Sequence, residues 1–176
     1  MIILGSKVLS NIGDVVCTTR TGFFLRGVKT PRHDAEPVKV FEPPEDIQVG
    51  ELNIVPEKTA ENQAFLYRLS NDLNPLHVDP SSASGFARPI LHGLCSMGIA
   101  ARSLHDTYFP DDCMRLYELG VRFTGPVFPG ETLEVESQPT RSNLVSFTVR
   151  VKDRESVALR GSCKFLHKPL KSKCLF

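Results

Sequence analysis

This chain of 176 residues predicts an α+β layer, in which an antiparallel sheet wraps around one buried helix. Three observations carry that reading. From His92 to about His105 the residues are apolar or small all round (Gly93, Leu94, Met97, Gly98, Ile99, Ala100, Ala101), the mark of a buried helix. After Pro110-Asp111-Asp112 the hydrophobic period changes to two, with strands at 113–124, 131–138, 143–152 and 156–167. Short turns at 128–130, 139–142 and 153–155 separate those strands, so they predict an antiparallel meander. One helix before such a sheet gives the α+β arrangement.

Taken in order, residues 1–28 read as a β-hairpin, its strands at Asp14–Thr19 and Gly22–Gly27, both rich in β-branched and aromatic residues. An isolated hairpin is marginal in water, so it is expected to dock on something. Residues 29–46 carry Pro31, Pro37, Pro43 and Pro44 among mixed charges, which predicts a stiff linker. The main domain then runs over 47–169, with a tail at 170–176. Within it, Val49–Val55 reads as a strand ending at Pro56, and Thr59 as the N-cap of a helix with an apolar stripe of Phe65, Leu66 and Leu69. Residues 71–80 read as a loop, with Asp79-Pro80 starting a further helical turn.

The length suits one domain with a sizeable core. The net charge of +1 comes from interleaved acids and bases, which points away from nucleic acid and from membrane surfaces. No apolar run approaches the roughly 18 residues a membrane span needs. Five cysteines (Cys17, Cys95, Cys113, Cys163, Cys174) at irregular spacing predict free thiols in a reducing compartment and no zinc site. Met1–Leu4 is too short for a signal-peptide core. Cys174 is one position off a prenylation pattern, and the end is not Ser-Lys-Leu, so no targeting signal is read.

The chemistry concentrates at Asn71-Asp72-Leu73-Asn74-Pro75-Leu76-His77. A carboxylate and an imidazole stand five residues apart on a segment that cannot be regular helix, because Pro75 bars the αR conformation at Asn74. Such a pair can hold a water and share acid and base duties. Alone, a turn-capping aspartate and a satisfied loop histidine are the simpler account. Asn74 either orients that water or bridges the turn. Gly93 either offers the first free amide of the helix to a developing anion or only permits close packing. His92 reads as a capping residue or a support behind the pair, Asp79 as a cap, and Cys95 as packing. His33, His105 and His167 read as surface residues.

Three ordered motifs reverse the simpler account. Tyr67–His77, then Arg88-Pro89-Ile90-Leu91-His92-Gly93-Leu94-Cys95, then Val121-Arg122-Phe123-Thr124-Gly125-Pro126-Val127-Phe128-Pro129-Gly130-Glu131-Thr132-Leu133, together resemble the hydratase 2 family. These are MaoC-like, R-specific 2-enoyl-CoA hydratases, including the hydratase part of peroxisomal multifunctional enzymes type 2. The resemblance covers most of 47–168 and implies a hot-dog fold. It implies hydration of trans-2-enoyl-CoA to (3R)-3-hydroxyacyl-CoA in fatty-acid β-oxidation, with Asp72, Asn74, His77 and Gly93 catalytic. Leu94, Arg122 and Phe123 are the expected substrate-binding residues, Arg122 toward the phosphates of coenzyme A. No metal and no cofactor are expected, coenzyme A being part of the acyl-CoA thioester substrate. A homodimer and a peroxisomal or cytoplasmic location are also expected.

The departures are specific. Asn71 stands where the family motif usually has glycine, and asparagine tolerates the positive φ required. The segment between His77 and Gly93 is about two residues shorter than usual. Eukaryotic members carry two hot-dog halves, whereas residues 1–28 here resemble only a remnant of the amino-terminal one. That leaves room for two other readings: a catalytically weak module pairing with a full-length relative, and a dehydratase of acyl-carrier-protein thioesters.

Overall fold

The computed structural model describes residues 2–23, 41, 43, 47–83, 85–110, 116–141 and 144–166. The expected linker falls almost wholly outside them, as does the tail. The chain divides into two compact units, Met1–Phe41 and Glu42–Phe176.

In the first unit, β1 (Ile2–Leu9) pairs antiparallel with β2 (Val15–Phe23). The hairpin was expected, but its turn lies earlier in the chain than the sequence reading placed it. Ser10 Oγ accepts from the Ile12 and Asp14 amides, Gly13 takes φ +89°, and the Ser10 amide donates to the Asp14 carbonyl at 2.8 Å. That short polar turn makes the apolar start a strand and leaves Gly22 inside β2. Phe24–Gly27 lie outside the described residues.

The second unit contains β3 (Asn53–Lys58), α1 (Gln63–Tyr67), α2 (Gly93–Tyr108), β4 (Leu116–Phe123), β5 (Thr132–Pro139), β6 (Leu144–Val151) and β7 (Ser156–Phe165). Its five-stranded sheet has the order β3-β5-β6-β7-β4, with every pairing antiparallel. Only β5, β6 and β7 form the expected meander. β4 takes the far edge beside β7, so the chain crosses the sheet before β5. Pro56 does not end β3 but sits within it. This is tolerated because β3 is an edge strand, where a missing N–H leaves no inner partner unpaired.

Alternation along β5 and β6 buries Leu133, Val135, Val145, Phe147, Val149 and Val151 on one face. α2 lays Cys95, Ser96, Ala100, Ser103 and Leu104 against the core. A Cβ at Gly161 would lie 2.5 Å from Phe147 Cζ and run into the Gly120 carbonyl, so the aromatic ring fills a gap that only glycine leaves. The far end of α2 is tied to the sheet by Tyr108, whose hydroxyl donates to Ser137 Oγ and accepts from Asn53 Nδ2.

Three expectations change here. α2 is buried on one face only, since Leu94, Gly98, Arg102 and Asp106 are exposed; Arg102 pairs with Glu57 at 2.6 Å. Thr59 is not an N-cap. It is buried, donates from Oγ1 to the Glu131 carbonyl at 2.8 Å and accepts from the Gly130 amide at 3.0 Å. The stripe of Phe65, Leu66 and Leu69 faces outward, and α1 instead turns Ala64 and Tyr67 to the core. A five-residue helix has too few turns for spacing to identify its inner face.

Candidate active site

The 71–80 loop is a chain of tight turns joined at the residues the sequence singled out. Asn71 closes the turn Arg68–Ser70 in the left-handed region (φ 71°, ψ 18°). Asp72 then accepts the Asn74 amide on Oδ1 at 3.3 Å. Asn74 is held extended by Pro75 (ψ 121°), and its Oδ1 caps the next turn, Pro75–His77, by accepting the Leu76 amide at 3.1 Å. Its side-chain oxygen therefore serves the turn. Asp79 caps Pro80–Ser82 by accepting from Ser81, as expected.

These turns deliver His77 to the start of α2. Its Nδ1 lies 2.8 Å from the Ile90 carbonyl, which can only accept, so Nδ1 carries the proton and Nε2 keeps its lone pair. The His92 ring stacks on His77, with centroids 3.7 Å apart and planes 26° from parallel, and the Tyr67 ring packs on His92 at 4.6 Å. One nitrogen or oxygen from each of Asp72, His77 and His92 falls within 4.8 Å of the others. With the two imidazoles stacked, a cation in the plane of one ring lies out of the plane of the other. The cluster therefore suits hydrogen bonding to a small polar group better than chelation of a cation.

His92 is 1% exposed, and neither ring nitrogen has a hydrogen-bond partner. The Asp72 carboxylate, and after it the Asp72 main chain, favour the protonated form of His92. Burial, then the neighbouring His77, outweigh that pull and hold the His92 pKa below the usual imidazole value. Burial likewise pushes the Tyr67 phenol up, helped by Cys95 and Asp72, and raises the Cys95 thiol, so that thiol is not activated.

Gly93 opens α2. The first intrahelical bonds run from the Cys95 and Ser96 amides to the His92 carbonyl, which leaves the Gly93 amide without an acceptor in the helix. A Cβ at Gly93 would lie 3.1 Å from Phe123 Cε1, so the missing side chain also admits the Phe123 ring. A free amide and close packing on Phe123 thus occur at the same glycine. Leu94 and Phe123 stand beside the helix start and are about half exposed. Arg122 is half-buried on β4, and strand alternation sets its side chain on the face opposite Phe123.

The third motif has a structural purpose. Arg154 grips Glu131 through Nε at 2.6 Å and a second nitrogen at 3.0 Å, while Glu131 also accepts the Phe128 amide at 2.7 Å. Burial would raise the Glu131 pKa, but the Arg154 and Phe128 bonds outweigh it and hold the carboxyl below its usual range. The Arg88 and Arg154 guanidinium groups lie over the Phe128 ring at 4.9 and 5.1 Å. This corner carries Val127, whose carbonyl accepts the Leu91 amide at 2.7 Å just ahead of His92 and Gly93.

An antiparallel sheet folded on one long helix is the hot-dog architecture. Residues 42–159 match the MaoC like domain model, and the chain belongs to that family. It is 35% identical over 158 residues to the peroxisomal enoyl-CoA hydratase 2 of Arabidopsis thaliana, covering 85% of this chain and 51% of that protein. Against the peroxisomal multifunctional enzyme type 2 of Mus musculus it is 43% identical over 111 residues, 62% of this chain and 15% of the enzyme. The crystal structure of a MaoC-like dehydratase from Phytophthora capsici superposes with a TM-score of 0.81 at 32% identity. That superposition covers 94% of this chain and 58% of the other. The chain thus spans about half the length of the hydratase 2 relative it matches.

Proposed function

We propose that this chain adds water reversibly to trans-2-enoyl-CoA thioesters, giving (3R)-3-hydroxyacyl-CoA. The observation that carries the reading is the clustering of Asp72 and His77 with His92, the residue just before Gly93 at the start of α2. A water held between the His77 Nε2 lone pair and the Asp72 carboxylate loses one proton to this pair as its oxygen bonds to C3. The C2–C3 π electrons move onto C2 and the thioester oxygen, where the Gly93 N–H and the helix dipole favour negative charge. The pair then returns one proton to C2, from the same side, and regenerates itself. Coenzyme A is part of the substrate, and the chemistry calls for no further cofactor.

The names of the relatives support a peroxisomal setting, and we read a place in fatty-acid β-oxidation from the enoyl-CoA chemistry. We further read the hairpin of residues 1–28 as a remnant of an amino-terminal hot-dog half. The Phytophthora capsici superposition supports this, because its 94% coverage cannot leave the hairpin out. Exposed Phe65, Leu66, Leu69, Leu73, Leu94 and Phe123 favour a second chain as cover, and we read that chain as a homodimer partner. Among the described residues no helix is long and apolar enough to cross a membrane.

Loss of the conjugated enoyl absorbance on adding protein tests the activity. Asp72→Asn and His77→Ala should each slow it by about 100- to 10,000-fold. Undiminished turnover in both variants would end the assignment.

A further inference from the structure

We propose that His92 is a positioning residue whose uncharged ring holds the His77 imidazole in one orientation and one tautomer. Only the kinetic consequence of this rests on the hydratase reading; the geometric claim stands on the structure of the loop and helix.

The Ile90 carbonyl anchors His77 through Nδ1 alone, at 2.8 Å. That hydrogen bond fixes which nitrogen carries the proton only while it lasts, and a ring free to tip can swing off the carbonyl and lose it. A flat neighbour 3.7 Å from its face removes that freedom. His92 is suited to be that neighbour. Its main chain is fixed by the Cys95 and Ser96 amides on its own carbonyl and by the Leu91 amide on Val127. It also packs against the Tyr67 ring, and its own ring is buried. It makes no side-chain cap to α2, and neither nitrogen is used by the surrounding protein. What the structure takes from this residue is its face. An uncharged ring is required there, because an imidazolium stacked on His77 would oppose the positive charge His77 gains on taking a proton from water.

The test reads His77 directly. In ¹⁵N-labelled protein above neutral pH, long-range proton–nitrogen NMR spectra should show His77 as the Nδ1–H tautomer. His92→Phe, which keeps the flat face, should preserve that signature. His92→Ala should shift His77 toward the tautomer mixture of free imidazole. Should His92→Ala not fold, His92→Leu fills the space without a flat ring and carries the same expectation. In the enoyl assay, His92→Ala should lower kcat by about 100-fold with KM little changed, and His92→Phe by only a few-fold. An unchanged His77 tautomer in both the Ala and Leu variants would overturn the proposal, as would a Phe variant that loses it as fully as they do. A wild-type protein that hydrates no enoyl thioester would overturn the hydratase reading, and the NMR comparison would still decide the role of His92.

Discussion

Asn71, Asn74 and His92 show how single residues hold the site together. At φ 71° Asn71 lies where a β-branched residue would be strained, yet an asparagine fits; that substitution for glycine was legible in the sequence because it depends only on local backbone chemistry. The extended backbone at Asn74 was legible for the same reason, since Pro75 imposes it. The stack of His92 on His77 and Tyr67 was not, because the partners come from separate turns and no local pattern encodes their meeting. His92 also makes an acid-side prediction. It faces His77, Asp72, Tyr67 and Arg68, and its folded pKa lies below 6.5. The unfolded chain therefore binds the proton first, so stability present above pH 6.5 is lost as pH falls below it. Glu131, with a folded pKa below 4.5, adds a second loss at lower pH as its carboxylate is protonated. Melting temperatures across this range should fall in both windows for the wild type and only in the lower one for His92→Phe. Parallel curves would refute the assignment of the upper window.

At the scale of elements, long periodic segments were legible and short ones were not. β5 and β6 fall close to their expected spans because alternation over eight residues has one solution against a buried face. The position of β4 at the far edge was hidden, since strand order depends on pairing partners that periodicity does not name. Thr59 was misread because a threonine before an apolar run has the chemistry of a cap. Here the hydroxyl joins the end of β3 to the Gly130–Glu131 corner, donating to one main-chain group and accepting from another. Thr59→Val keeps the shape but leaves the half-buried Gly130 amide without its acceptor. It should lower unfolding free energy by about 2 kcal/mol in urea titration. A change below about 0.5 kcal/mol would mean that water replaces the hydroxyl.

For the whole molecule, the question is what covers the apolar surface around the site. Leu69 is 85% exposed and Phe65 and Phe123 are 60% and 49% exposed, although such side chains normally gain by leaving water. The sequence pattern marked Phe65, Leu66 and Leu69 as an apolar stripe; they are apolar for a surface that the folded main domain does not supply. If a second copy supplies it, purified chain sediments at twice the single-chain mass. Phe65→Glu combined with Leu69→Glu then places four carboxylates across a two-fold seam and drives it to single chains. Both positions are exposed, so the variant keeps its fold and its melting transition. Its kcat falls, because Leu94 and Phe123, beside the Gly93 amide, lose the same cover and admit bulk water. Wild-type protein that sediments as a single chain with full turnover would remove the dimer from the account and leave the catalytic loop and α2 sufficient by themselves.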